Sequence, residues 1–104
     1  QIEGRVIVEE GAEVKGSHIR GPVAIAAGTR IVNSFIGPFT SIDRFCEVVN
    51  SEIEHSVVLE RSRIIDVPRI EDSLIGREVE VVRSQIRPRA LRMMVGDHCR
   101  IDIE

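Results

Sequence analysis

Three histidines and two cysteines are the side chains of this sequence that could transfer protons, bind zinc or act as nucleophiles. The histidines are His18, His55 and His98, and no two of them are closer than 37 residues along the chain. Histidine zinc sites use short spacings such as His-x-x-x-x-His, so this spacing argues against a zinc enzyme. A single histidine acting as a general base is the chemistry that remains open.

The two cysteines are Cys46 and Cys99, too far apart for a Cys-x-x-Cys pair and too few for a disulfide framework. Both fall where the repeat of this sequence places small residues pointing inward. We therefore predict buried, unreactive thiols at both positions.

Arginines and methionines cluster near the end of the sequence. Arg87, Arg89 and Arg92 lie within RPRALR, and three guanidinium groups so close together can bind a phosphate or a sugar nucleotide. The same side chains could instead lie in a solvated loop or pair with acidic residues. Met93 and Met94 follow, and we predict that they either cap the end of the core or face another domain.

The aromatic side chains are three phenylalanines, Phe35, Phe39 and Phe45. All three fall outside the positions that the repeat directs inward. Together with Met93 and Met94 they are candidates for an interface, and we predict that the phenylalanines form an apolar patch for docking or oligomerisation.

The elements that must position these residues are β-strands. Ile and Val number 29 among the 104 residues while Leu numbers 3, and β-branched side chains favour strands. Isoleucine recurs every 17 residues at Ile2, Ile19, Ile36, Ile53 and Ile70. Apolar residues step by five or six within each repeat, with turn residues between them.

Three strands and three turns per repeat describe a triangular coil, and stacked coils pair as parallel strands about 4.8 Å apart. We predict an all-β fold, a single-stranded parallel β-helix of hexapeptide repeats with about six coils. Further inward residues are predicted four positions after each isoleucine and at the small positions between: Val6, Val23, Thr40, Val57, Leu74, Ala12, Thr29, Cys46 and Ser62.

The repeat predicts one domain over residues 1–104, with regular coils over 1–86, a loop over 87–94 and a terminal coil over 95–104. The loop is predicted because nine residues separate Ile86 from Val95, where five or six are usual. Pro88 within it has no N–H to donate to a strand ladder.

Composition limits the partners of the chain. The net charge is −3 with basic residues spread along the sequence, which predicts neither nucleic acid nor membrane binding. No apolar run approaches the roughly 18 residues of a spanning helix, and no signal peptide is evident. We expect a cytoplasmic protein, and the start at Gln1 leads us to expect a fragment.

Four strings point to a known family: IGPFTSI, NSEIEHSVVLE, RIEDSLIGR and RPRALRMMVGDHCRI. They resemble the C-terminal left-handed β-helix of the long-form glucose-1-phosphate thymidylyltransferases of prokaryotes. The resemblance covers essentially the whole chain and implies left-handed winding. The last string is the most specific of the four because it is not repetitive.

The resemblance implies a parent enzyme that joins dTTP to glucose 1-phosphate, releasing diphosphate, with Mg²⁺. Its catalytic residues would lie in an N-terminal domain absent from this sequence, which carries no phosphate-binding glycine loop. We therefore expect this chain to be inactive alone, to hold no cofactor and no catalytic residue, and to support the N-terminal domain or assemble a homo-oligomer, a trimer or a dimer.

Other proteins use hexapeptide repeats, which leaves alternatives open. The main one is an acyltransferase with an acyl-CoA donor and His18, His55 or His98 as general base in a cleft between prisms. Such enzymes carry a long loop thrown out from a coil, and no such loop appears before residue 86. A γ-class carbonic anhydrase would need the close histidine pair that is missing here.

Overall fold

The computed structural model describes residues 1–83, 90–91, 94–95 and 100–103, and these contain eighteen short strands. The strands form three parallel six-stranded sheets, which we call the first, second and third face. The strands of the first face are Ile2–Glu3, His18–Arg20, Phe35–Ile36, Glu52–Glu54, Arg69–Glu71 and Ala90–Leu91. Those of the second face are Val6–Val8, Val23–Ile25, Thr40–Ile42, Val57–Val58, Leu74–Ile75 and Met94–Val95. Those of the third face are Glu13–Lys15, Arg30–Val32, Glu47–Val49, Arg63–Ile65, Glu80–Arg83 and Arg100–Ile103.

This architecture confirms the predicted all-β fold. The chain visits the three faces in turn, so each strand pairs with the strand one coil earlier and one coil later. The result is a β-solenoid, consistent with a left-handed β-helix, and the described residues include no helix.

The 17-residue repeat of isoleucine is the register of the first face. Ile2 pairs with Ile19 and Ile53 with Ile70, and the same spacing joins Ile19 to Ile36. Ile19, Ile36, Ile53 and Ile70 are fully buried, because each covers the equivalent side chain of the neighbouring coil. No single coil encloses these side chains, so the core exists only in the stack.

Two predicted inward residues are exposed instead. Val57 is 40% and Leu74 38% exposed, while the preceding residues Ser56 and Ser73 are buried. The predictions for Val57 and Leu74 are wrong because only five residues separate Ile53 from Val58 and Ile70 from Ile75, one fewer than at a six-residue corner. The inward corner residue therefore comes three residues after the isoleucine, at Ser56 and Ser73, instead of four residues after it.

The predicted loop over 87–94 also differs from the structure. Ala90–Leu91 and Met94–Val95 are strands of the first and second face, and Leu91 rather than Ile86 pairs with Ile70. The extra residues therefore enter before the strand at Ala90. The loop prediction is wrong at these strand positions, and the other residues of that segment lie outside the described residues.

Buried serines mark the corners where the chain takes five residues instead of six. Each of these hydroxyls donates to the carbonyl oxygen two residues earlier, as Ser34 does to Val32 at 2.8 Å. Four of them also accept a backbone N–H from the next coil, as Ser34 does from Ser51 at 3.1 Å; these four are Ser17, Ser34, Ser51 and Ser56. The serines at these short corners are Ser17, Ser34, Ser51, Ser56 and Ser73.

Every described corner except the one at Gly21-Pro22, where the peptide bond is cis, contains a residue in a left-handed backbone conformation. Glycine adopts this conformation without steric cost, whereas other residues incur about 1–2 kcal/mol each. Asparagine and aspartate tolerate this conformation best, and Asn33 also donates its side-chain amide to Asn50 at 2.6 Å. The residues with positive φ are Gly4, Gly11, Gly16, Gly28, Asn33, Phe39, Phe45, Asn50, His55, Arg61, Asp66, Asp72 and Glu78.

Removal of one corner hydroxyl is expected to destabilise the stack. In Ser34→Ala the buried N–H of Ser51 loses the acceptor shown above, which costs about 1–3 kcal/mol. Ser41→Ala is the matched control, because Ser41 is exposed on the second face. Urea denaturation measures both variants, and an equal, negligible effect of the two would contradict the role of the corner serines.

Two glycine substitutions separate backbone strain from a steric clash. Gly16 and Gly28 both have positive φ, but a Cβ at Gly28 would collide with the ring of Phe45, whereas nothing lies within 4 Å of one at Gly16. We expect Gly16→Ala to cost about 1 kcal/mol and Gly28→Ala roughly 1–3 kcal/mol more. In a Phe45→Ala background the cost of Gly28→Ala should fall to that of Gly16→Ala. An unchanged cost would show that the ring is not the obstacle.

Candidate interaction surfaces

The two described histidines lie on opposite borders of the first face. His18 packs edge-on against Phe35 with ring centroids 5.5 Å apart, and its Nε2 is 3.6 Å from a Glu3 carboxylate oxygen. His55 lies at the corner between the first and second faces, packed against Phe39 at 5.3 Å. The structure does not bring His18 and His55 together, and each has an aromatic neighbour in an adjacent coil.

Several predicted site residues lie outside the described residues: Arg87, Arg89, Arg92, Met93, His98 and Cys99. Met94 begins a strand of the second face and pairs with Leu74. The anion site and the capping role of the methionines therefore stay predictions. In the described part of the chain no group of three or more His, Cys, Asp or Glu residues could hold a metal ion.

The three phenylalanines lie at three different places around one coil. Phe35 begins a strand of the first face, Phe39 lies at the corner to the second face, and Phe45 lies at the corner to the third. The prediction that they form one patch is wrong, because a whole strand separates Phe39 from Phe45. Phe39 and Phe45 are largely exposed, and their role as interface residues stays a prediction.

The phenylalanines pack on neighbouring coils instead of on one another. The guanidinium of Arg61 lies 5.1 Å from the centroid of the Phe45 ring, on the side opposite to Gly28 along the stack. Arg61 and Phe45 both occupy left-handed corner positions. The cation–π contact therefore joins two consecutive coils at one corner.

The outward side chains of the second face are uncharged. Residues in register along this face are Ile7, Ala24, Ser41, Val57 and Leu74. Ile7 is 59% exposed, whereas Ala24 and Ser41 are small and leave a depression beside it. Among the described residues, most of the exposed large apolar side chains thus lie on this face and at its two corners, at Phe39 and Phe45.

The third face, in contrast, carries a ladder of alternating charges. Glu47 lies between two arginines, 3.1 Å from Arg30 and 3.0 Å from Arg63. Arg30 also approaches Glu13 at 3.8 Å, and Arg63 approaches Glu80 at 2.9 Å. Sequence reasoning missed this ladder, although the signal was present: the charge alternates each time the register of this face repeats.

Cys46 is a buried thiol, as predicted. It is 2% exposed and its Sγ lies 3.2 Å from the carbonyl oxygen of Leu59. Burial raises the pKa of the Cys46 thiol from 9.0 to about 11, because the thiolate would lose its hydration. A thiol held in its protonated form is a poor nucleophile.

This pKa shift predicts a loss of stability at high pH. Because the pKa of Cys46 is raised in the folded state, the protonated thiol contributes to the free energy of unfolding. This contribution is complete below pH 9 and is lost as the pH rises towards 11. At pH 10.5 we expect the native chain to lose about 2 kcal/mol of unfolding free energy relative to Cys46→Ser. Urea titrations at pH 8 and 10.5 measure the difference. An equal pH dependence in the two proteins would contradict the shift.

Comparison with known proteins gives the context of these surfaces. No family model matches the chain. A "Glucose-1-phosphate thymidylyltransferase" from Streptomyces griseus is 53% identical over 100 residues, which is 96% of this chain and 28% of that protein. One of the same name from Streptomyces antibioticus is 50% identical over 103 residues, 99% of this chain and 29% of that protein. The chain therefore spans less than a third of the length of these relatives.

The fold and its surfaces define a β-solenoid domain in which side-chain contacts mainly join consecutive coils. No helix among the described residues is long and apolar enough to cross a membrane. The high identity over almost the whole chain shows homology beyond the hexapeptide pattern. The chain belongs to the glucose-1-phosphate thymidylyltransferase family, as the C-terminal part of such a protein.

Proposed function

We propose that this β-solenoid is the structural C-terminal domain of an enzyme that joins dTTP to glucose 1-phosphate and releases diphosphate. The support is the identity of 53% and 50% to two proteins named glucose-1-phosphate thymidylyltransferase over almost the entire chain. Nucleotide binding, Mg²⁺ and the reacting groups belong, in this proposal, to the N-terminal part of the full-length protein.

The chemistry of the described residues supports a role without catalysis. His18 and His55 lie apart, the Cys46 thiol is held protonated, and no cluster of metal ligands occurs in the described part. Nucleotidyl transfer requires groups that neutralise phosphate charge at the reacting centre. The arginines Arg30, Arg63 and Arg69 are instead paired with glutamates of their own chain.

The domain would act by holding subunits or the N-terminal part in place. Its strands are short, and backbone hydrogen bonds between coils continue along all three faces, so it presents flat and rigid surfaces. A homo-oligomer, either a trimer or a dimer, fits such a prism. A cytoplasmic location goes with the proposal, because the described Cys46 is a free thiol rather than half of a disulfide.

The test uses the full-length protein. It is incubated with glucose 1-phosphate, Mg²⁺ and either dTTP, UTP or CTP, while diphosphate release is followed. A parallel reaction contains acetyl-CoA and an amino-sugar phosphate, with free thiol as the readout. We expect diphosphate release to be fastest with dTTP. We expect no release of free thiol from acetyl-CoA in the parallel reaction.

Two outcomes would contradict the proposal. Faster diphosphate release with UTP or CTP than with dTTP would show that the nucleotide substrate is not dTTP. Thiol release that persists in the isolated chain of 104 residues would make the prism itself an acyltransferase, and His18, His55 and His98 would then be the residues to replace first.

A further inference from the structure

We propose that the N-terminal half of the second face, at Ile7, Ala24, Ser41 and Phe39, docks against the polypeptide that precedes Gln1 in the full-length protein. We call these four residues and their surroundings the docking patch. The inference rests on the proposed function only in requiring that an N-terminal part exists, and its test does not depend on which nucleotide that part uses.

The docking patch is a shallow apolar groove. Ile7 and Phe39 project from its sides, 59% and 65% exposed, while Ala24 and Ser41 form its floor. The groove encloses about 240 Å³ and Pro22 also lines it. Bulky side chains flanking small ones give a surface into which an apolar side chain of a partner can insert.

The other two faces offer less to a partner. On the third face the outward glutamates and arginines satisfy one another, as Glu47 does with Arg30 and Arg63. On the first face Arg69 lies between Glu54 at 2.9 Å and Glu71 at 3.2 Å. Covering these pairs would remove their hydration without providing new partners. Covering the docking patch removes apolar surface from water, which is favourable.

The position of the patch identifies its occupant. It lies on the first three coils, beside the end of the prism at which the chain begins, where Ile2 and Val8 are also 56% and 38% exposed. The relatives are more than three times as long as this chain, which matches 28% and 29% of them as their C-terminal part. The remaining polypeptide is therefore joined to the prism beside this groove.

The size of the patch favours a tethered partner over a second copy of the chain. Stable interfaces between separate proteins involve about 800 Å² and 20–30 residues on each side, whereas this groove is formed by only a few side chains. A covalently joined partner has an effective concentration of about a millimolar, so a small apolar contact is sufficient to hold it.

The charge beside the groove specifies the chemistry of the contact. Arg5 lines the groove and is exposed, and no ion pair is found for it within the described part of the chain. The docking segment should therefore combine an apolar side chain for the floor at Ala24 and Ser41 with a carboxylate that reaches Arg5.

The first measurement is thiol accessibility in the full-length protein. Ser41→Cys is placed in the groove, and Glu52→Cys, exposed on the first face, is the matched control. Each maleimide reaction rate is divided by the rate for the same thiol in unfolded protein, with peptide-resolved mass spectrometry to separate Cys46 and Cys99. We expect Ser41→Cys to react at least about tenfold more slowly than Glu52→Cys. Addition of Ala24→Glu should restore its rate, and equal rates for the two thiols would overturn the proposal.

Cross-linking then identifies the occupant. Ser41→Cys is coupled to a benzophenone in a mixture of isotopically light and heavy full-length protein, and the cross-linked peptides are sequenced. Cross-links within one chain to residues before Gln1 support the proposal. Cross-links between light and heavy chains would assign the patch to a second copy and overturn it. Diphosphate release by the labelled protein, assayed in parallel, reports separately on the nucleotidyl transfer proposed above.

Discussion

The structure depends on one constraint, the parallel register that places each coil on the next. A coil of 17 residues has three strands of two to four residues, too short to bury anything by themselves. Stacked in register, they give continuous columns in which Ile36 is covered by Ile19 on one side and Ile53 on the other. A shift of one residue in any strand would turn its buried side chain outward. Burial and backbone pairing therefore select the same alignment.

The corners make this register possible. The chain turns sharply three times in each coil, and at every described corner except Gly21-Pro22 a left-handed residue precedes the inward one. At short corners a serine such as Ser51 satisfies a carbonyl of its own coil and an N–H of the next. At longer corners the hydroxyl of the inward residue donates to a carbonyl oxygen of the next coil, as Ser62 does to Gly76. The corners therefore bond successive coils to each other as well as reversing the chain.

The parts of the fold that follow from a strict period could be predicted from the sequence. The isoleucine spacing predicted the stacked coils, and Thr29, Cys46 and Ser62 are buried as expected. Val57 and Leu74 are apolar yet lie outward, because Ser56 and Ser73 take the inward position at their corners. A left-handed residue followed by serine, at His55-Ser56 and Asp72-Ser73, signals the short corner in the same way as Asn33-Ser34 does.

Surface properties were harder to predict, because they depend on which coil neighbour each outward residue meets. Phe35, Phe39 and Phe45 are close in sequence, which suggested one patch, yet the triangular coil directs them to different places. The Glu47 ladder has the opposite property: its members are 16 or 17 residues apart and become neighbours only in the stack. The docking patch likewise joins Ile7, Ala24 and Ser41 from three coils.

We propose that the side chains of this chain hold structure together and perform no step of the proposed nucleotidyl transfer. The most direct test is the full-length protein with His18→Ala, His55→Ala and His98→Ala combined, assayed for kcat and KM with dTTP and glucose 1-phosphate. We expect both constants to stay within about threefold of the native values, since removal of a general acid or base costs roughly a hundredfold or more. A loss of that size in a variant with an unchanged circular dichroism spectrum would contradict the claim.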